Sequence, residues 1–247
     1  NSNTFYVATA QNNFGRPSQE LDQPGNGESG TLTFGYDAAG NATSRNITGG
    51  GTQALTWDAY NRLVIVSQRS TGASDFDWTT VYDGLGRRVQ TTYQPMNSGV
   101  NSGSSSSLTY YYDPQVEFLE LGLLNGTRTW KVYGPDRNGL YGGLQGCGGL
   151  DGYVDETSGG MYASINNFFG DSVGQVNGTG GSGFGVPLGG YGALPGNGVS
   201  DITPQWRGHY LDWTQFYYMG ARYYDPLSGR FLSADPMGHS ASMSLYD

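Results

Sequence analysis

Five hairpin-like stretches align on an aromatic residue directly before an aspartate, at Tyr36-Asp37, Trp57-Asp58, Tyr82-Asp83, Tyr112-Asp113 and Tyr224-Asp225. The first four copies start 21, 25 and 30 residues apart. No other feature constrains the fold as much, because a repeated supersecondary unit sets the architecture. A short aromatic or β-branched run leads into each aspartate. Gly40, Gly86 or Gly229 follows (Asn61 in the second copy), and an apolar run then resumes, as in RLVIVSQ, RRVQTTY and RFLS. The Asp carboxylate accepts from the backbone two residues on and starts a turn. Glycine and asparagine tolerate the left-handed conformation that a type I turn with a bulge requires. Each unit is therefore predicted to be one β-hairpin with an aromatic at its lip. A lone hairpin is marginal in water, so successive units are predicted to stack edge to edge into a continuous antiparallel sheet. No window of a dozen residues keeps a helical apolar period free of Gly and Pro, and the chain is expected to be all-β.

Composition narrows the function. Glycine supplies 42 of the 247 residues and tyrosine 19, while only 13% are charged. The polar surface must then come from Ser, Thr, Asn, Gln and Gly, a composition that accompanies secreted and cell-surface β proteins. An extracellular or cell-surface location is expected. Tyrosine covers apolar surface while keeping a wettable tip, which suits a sheet facing other sheets or a hydrated interior. A net charge of −9, with Arg87-Arg88 as the longest basic run, argues against a nucleic-acid partner. No stretch approaches the ~18 apolar residues of a membrane span. The opening NSNTFYVATA has no basic leader or apolar run, and there is no initiator Met. A mature form or an internal fragment is expected. Cys147 stands alone, so no internal disulfide or cysteine metal site forms. His209 and His239 lack zinc-ligand spacing, and no metal or cofactor is expected.

The chain divides into three parts on this reading. Residues 1–133 hold the hairpin repeats, with a Ser/Gly-rich stretch at 94–108 expected as a flexible loop. Residues 134–205 are glycine-dense and read as tight turns linking short strands, with one more hairpin at SINNFFGDSVGQV (164–176). GGLQGCGG in this part lacks the Lys-Ser/Thr of a phosphate loop. Residues 206–247 form the C-terminal part. Sequons begin at Asn41, Asn46, Asn125 and Asn177, and matter only in a glycosylating host.

At YDAAGN, YDGLGRR and above all FYYMGARYYDPLSGRFLSADPMG the chain resembles the RHS/YD-repeat family. The last stretch is similar to the family's RHS-associated core motif, roughly RYYDPxxGRFxSxDPxG. Arg222, Tyr223, Tyr224, Asp225, Pro226, Gly229, Arg230, Phe231, Ser233, Asp235, Pro236 and Gly238 fit that pattern. The resemblance implies hairpins spiralling as a continuous sheet into a hollow shell, with the core motif plugging one end. In toxin-associated members the shell encloses a C-terminal segment, and some members cut themselves downstream of the motif with its aspartates. A full shell needs many more repeats than this chain has, so a partial wall is expected. It would be completed by other copies or by the remainder of a longer chain.

That resemblance makes Asp225 and Asp235 candidate self-cleavage carboxylates, with Arg222 orienting one of them. An aspartyl dyad must share one proton at close range. If DPLSGR is the turn, Asp225 faces Arg230 and Asp235 lies five residues up the ladder, so at about 3.3 Å per residue the carboxylates are ~16 Å apart. A plain hairpin builds no dyad. Arg222 would face Ser233, with Asp235 a diagonal neighbour in salt-bridge reach. Three readings follow: a structural shell segment, a self-processed core, and a glycan-binding adhesin with Trp57, Trp78 and Trp130 as platforms.

Overall fold

The structure is a computed structural model that describes residues 6–11, 17–22, 31–47, 51–70, 75–136, 139, 141, 148–184, 188–193, 205–238 and 246. Cys147 and His239 lie outside the described residues. The architecture is all-β: antiparallel strands hydrogen-bond in chain order as one large sheet, with small separate sheets at Leu188–Gly189/Gly192–Ala193 and around Tyr223–Asp225. Trp206–Gly208 forms a single helical turn.

Two compact units make up the chain. One gathers Asn1–Val81, Thr92–Ser106 and Ala221–Asp247; the other gathers Tyr82–Thr91 and Ser107–Gly220. In the first, Thr31–Tyr36 pairs with Ala42–Ile47, and Gly51–Trp57 with Leu63–Arg69, which then pairs with Asp75–Tyr82. The side-chain period of two sorts these strands. Gln53 and Leu55 are buried while Thr52, Ala54 and Thr56 are exposed. Leu32, Leu63, Val66, Phe76 and Trp78 are buried in this unit, as are Tyr223, Tyr224 and Leu232 of the C-terminal motif. Full burial of a leucine such as Leu32 or Leu63 contributes roughly 1.5–3 kcal/mol. Within the 94–108 stretch, Met96 and Asn97 pair with Asn101 and Val100, so part of the expected loop is a short hairpin.

In the second unit, Ser106–Tyr112, Glu120–Asn125, Thr127–Asp136, Gly148–Asp155, Met161–Asn166, Ser172–Asn177 and Ser182–Phe184 pair in succession. Leu108, Tyr110, Leu123 and Tyr210 form one buried cluster here, with Tyr112 packed against it. The glycines of the ladder let backbones come close. A Cβ at Gly122 would press on the Thr129 carbonyl and the Trp130 ring.

The turns explain why the repeat reads as it does. At Asp58 the Arg62 carbonyl accepts from the Asp58 N–H (3.0 Å), and the Asp58 carbonyl accepts from Asn61 (3.1 Å). Oδ1 accepts from the N–H groups of Tyr60 (2.9 Å) and Arg62 (3.0 Å), and Oδ2 from Arg62 Nε (2.8 Å). Asn61 takes φ 58°, the left-handed conformation. Asp83, Gly86 and Arg87 repeat the arrangement with Gly86 at φ 80°. Asp37 repeats it with Asn41 in the arginine's place. Desolvation alone would raise the Asp58 and Asp83 carboxyls, but the hydrogen bonds and charge of Arg62 and Arg87 outweigh it, and both lie below the usual range. One motif thus closes the turn, neutralises the charge and fixes the register. The Asp113 copy differs: its N–H donates to the carbonyl of Leu119, and a longer loop intervenes.

The same turn also occurs where no aromatic-Asp pair announces it. Asn167 accepts from the N–H groups of Phe169 and Asp171 and donates its amide to Asp171 Oδ2, the polarity of the pair reversed. Asn177 accepts from Thr179 and Gly181. Asp212 closes on Phe216, with Gln215 at φ 65°.

Candidate functional site

The C-terminal motif starts as the expected hairpin. Tyr224 lies opposite Phe231 and Asp225 opposite Arg230. Gly229, at φ 68°, donates its N–H to the Asp225 carbonyl (2.9 Å), and Asp225 Oδ1 accepts from Leu227 (3.0 Å). The motif is fastened by its backbone as well: Ala42 donates to the Leu232 carbonyl (2.8 Å), and Phe231 to that of Tyr246 (2.9 Å). The Trp78 and Tyr223 rings meet edge to face at 5.8 Å.

Asp225 is fully buried, and the group that compensates it lies 180 residues away. Arg45, on Ala42–Ile47, sets Nε 2.9 Å from Oδ2 and donates from Nη2 to Oδ1 (3.1 Å). The two side chains are 1% and 0% exposed. Arg45 Nη1 donates to Gln53 Oε1 (3.2 Å), and Gln53 donates on to Gln68 (3.1 Å). A guanidinium set against a carboxylate, with a further N–H bonded to Gln53, is an arrangement that makes a buried ion pair tolerable.

Asp235 has its own arginine. Arg222 lies 3.0 Å from its Oδ2, both side chains 14% exposed, with the guanidinium 3.6 Å from the Phe231 ring centroid. Asp235 Oδ1 accepts from Met237 (2.8 Å) and starts a turn. The three sequence-derived candidates therefore fall into two ion pairs, Arg45–Asp225 and Arg222–Asp235. No hydrogen bond joins the two carboxylates among the described residues.

The second unit contains a parallel arrangement. Asp212, 3% exposed, pairs with Arg88, 2% exposed, at 2.8 Å. The Arg88 guanidinium lies between two rings, 4.3 Å from the centroid of Tyr110 and 4.6 Å from that of Tyr218. Its backbone N–H donates to the Tyr218 hydroxyl (3.2 Å) and its carbonyl accepts from Tyr112 (2.9 Å). Burial pushes the Asp212 carboxyl up, against the opposing pull of Arg88 and Thr214. Burial likewise pushes the Tyr110 and Tyr218 phenols up to about 12. Nearby, Lys131 pairs with Glu120 at 3.1 Å and lies 4.4 Å from the Tyr210 ring centroid.

Sequence reasoning missed Arg45, Arg88 and Asp212. The one available signal is an arginine at an inward strand position in a chain with few charges. It names the arginine and leaves the partner open. The tryptophans also sort differently from the platform reading. Trp78 is 0% exposed and cannot present a ring to a glycan. Trp57 spends its Nε1 on the Ala42 carbonyl (2.7 Å). Trp130 is half-buried, stacks near Tyr111 at 5.3 Å and donates to Glu156 (3.0 Å).

His209 gives this site a pH dependence. Desolvation, helped by the positive charges of Lys131, Arg88 and Arg207, lowers it from 6.5 to about 4. Between those values the unfolded chain binds a proton that the folded chain refuses. Stability is then complete above pH 6.5 and falls as pH drops toward 4, by about 3 kcal/mol over the window. Asp212, shifted up, acts in the opposite sense, its contribution lost as pH rises. The readout is therefore the difference between wild type and His209→Gln in urea midpoints across the window. The expected result is a shallower acid decline in the variant; parallel curves would contradict it.

The chain is an all-β sheet of turn-locked hairpins with its C-terminal motif held by the Arg45–Asp225 and Arg222–Asp235 pairs. Solved structures share the fold. The chain aligns with the TcdB2-TccC3-TEV structure at TM-score 0.55 and 21% identity, over 88% of this chain and 13% of that one. It aligns with TcdB2-TccC3-Cdc42 at 0.54 and 20%, over 98% and 15%. A Photorhabdus luminescens Tc holotoxin pore with a mutation in TccC3 matches at 0.54 and 20%, over 88% and 12%. At these identities the likeness is one of fold, and the chain spans a small fraction of each relative's length. No protein-family model and no curated protein matches the sequence. No helix among the described residues is long and apolar enough to cross a membrane.

Proposed function

We propose that the chain is a wall segment of an RHS-type β shell of the toxin-complex kind, extracellular or cell-surface, whose work is structural. The observation that carries this reading is the strand order. Strands pair in chain order from Tyr6–Gln11 to Ser182–Phe184, and among the described residues each of these two terminal strands pairs on one side only. An open edge presents a row of unpaired N–H and C=O groups, which further strands complete. Those strands come from the remainder of a longer chain or from other copies. The fold likeness to TcdB2-TccC3 chains supports a shell over an isolated domain. Light scattering across a concentration series tests the edge argument on the chain alone. Concentration-dependent association is expected, and a stable monomer at every concentration would contradict it.

Self-cleavage by Asp225 and Asp235, with Arg222 as orienting group, takes second place. It requires the two carboxylates to leave their separate arginines and share a proton. The ion pairs favour a fastening role for both aspartates.

A further inference from the structure

The triplet Asn-Gly-Thr occurs twice, at 125–127 and 177–179. The fold puts the two copies in opposite situations. Asn177 Oδ1 accepts from the N–H groups of Thr179 (3.2 Å) and Gly181 (2.7 Å) and from the Thr179 hydroxyl (2.9 Å). The N–H of Gly178 donates to the Met161 carbonyl (3.1 Å). The side-chain amide and the backbone nitrogen that follows it are both held.

Asn125 has no such restraint. It ends the strand Glu120–Asn125, and the chain reverses at Gly126 (φ 69°) so that Asn125 lies opposite Thr127. Asn125 and Gly126 are exposed. A Cβ at Gly126 would meet nothing within 4 Å. Among the described residues the Asn125 side chain makes no hydrogen bond.

We propose that Asn125-Gly126 is a site of spontaneous deamidation. The Gly126 nitrogen, losing its proton to solvent base, attacks Asn125 Cγ. The Cγ–Nδ2 bond breaks, ammonia leaves, and a five-membered succinimide joins the two residues. Water then adds to either ring carbonyl, leaving an aspartyl or an isoaspartyl linkage at position 125. Water is the only co-reactant, and nothing is oxidised or reduced. Glycine matters because the missing Cβ leaves the nitrogen unshielded and the backbone free to swing into the ring. Either product puts a new negative charge on an exposed hairpin tip. The isoaspartyl form also lengthens the backbone by a methylene, which shifts the register of the strand that carries Leu123 and Glu120. The asparagines of the other Asn-Gly pairs, at 26, 138 and 197, lie outside the described residues.

Timed incubation of the folded protein at mildly alkaline pH, followed by peptide mapping and isoaspartyl methyltransferase labelling, tests this. Asn125 is expected to lose its amide at least about ten-fold faster than Asn177, with isoaspartate among the products. In urea the two rates should converge, because the triplets are identical. Equal rates in the folded protein, or Asn177 reacting first, would overturn the proposal.

Discussion

Replacing Arg88 by methionine is expected to cost about 3–5 kcal/mol of folding stability, read as a lower urea midpoint. The loss has two sources. Asp212, 3% exposed, would be left without its countercharge. The rings of Tyr110 and Tyr218, now 4.3 and 4.6 Å from the guanidinium, would close on a side chain with no charge to offer them. Arg88→Lys keeps the charge and gives up the planar fork and the stacking, so an intermediate loss is expected. Removing both partners, as Arg88→Met with Asp212→Leu, should recover part of the stability, because the unpaired charge and not the missing bond carries most of the penalty. A single substitution of this size removes a large share of the roughly 5–15 kcal/mol that holds a domain together.

The two aspartates of the C-terminal motif should respond unequally. Asp225→Asn preserves shape and leaves Arg45, 1% exposed, without a carboxylate, and is expected to cost about 3–5 kcal/mol. Asp235→Asn weakens a pair at the solvent boundary, 14% exposed on each side, and is expected to cost at most about 1 kcal/mol. A catalytic dyad gives a different pattern: either substitution stops processing of a longer chain, and neither need disturb the fold. Urea midpoints together with the mass of the expressed chain separate the two. Equal, small stability losses at both positions would set aside the fastening role of Asp225.

What the sequence disclosed and what it hid follow from range. The turns at Asp37, Asp58 and Asp83 are closed within five residues, so the aromatic-Asp-x-x-Gly pattern contains nearly everything that determines them. The hairpin at Asp225 was legible for the same reason, as were its Asp225–Arg230 register and the Arg222–Asp235 pair. The turns at Asn167, Asn177 and Asp212 use the same hydrogen bonds with other letters. An asparagine carbonyl accepts as a carboxylate does, and Gln215 takes the left-handed position without being glycine. A pattern keyed to aspartate and glycine passes over the turns at Asn177 and Asp212, whereas the hairpin around Asn167 was legible from its flanking runs in SINNFFGDSVGQV. Arg45 and Asp225 are a different case. They are 180 residues apart, and nothing local to either says that the other exists. Both are polar groups at buried positions, where periodicity says only which way a side chain points.

A double-mutant cycle on Arg45→Met and Asp225→Leu tests most directly the claim that this ion pair fastens the C-terminal motif to the hairpin sheet. The account expects each single variant to be strongly destabilised and the double variant to recover, with a coupling of about 2–3 kcal/mol. Strictly additive losses, with no coupling between the two positions, would contradict it.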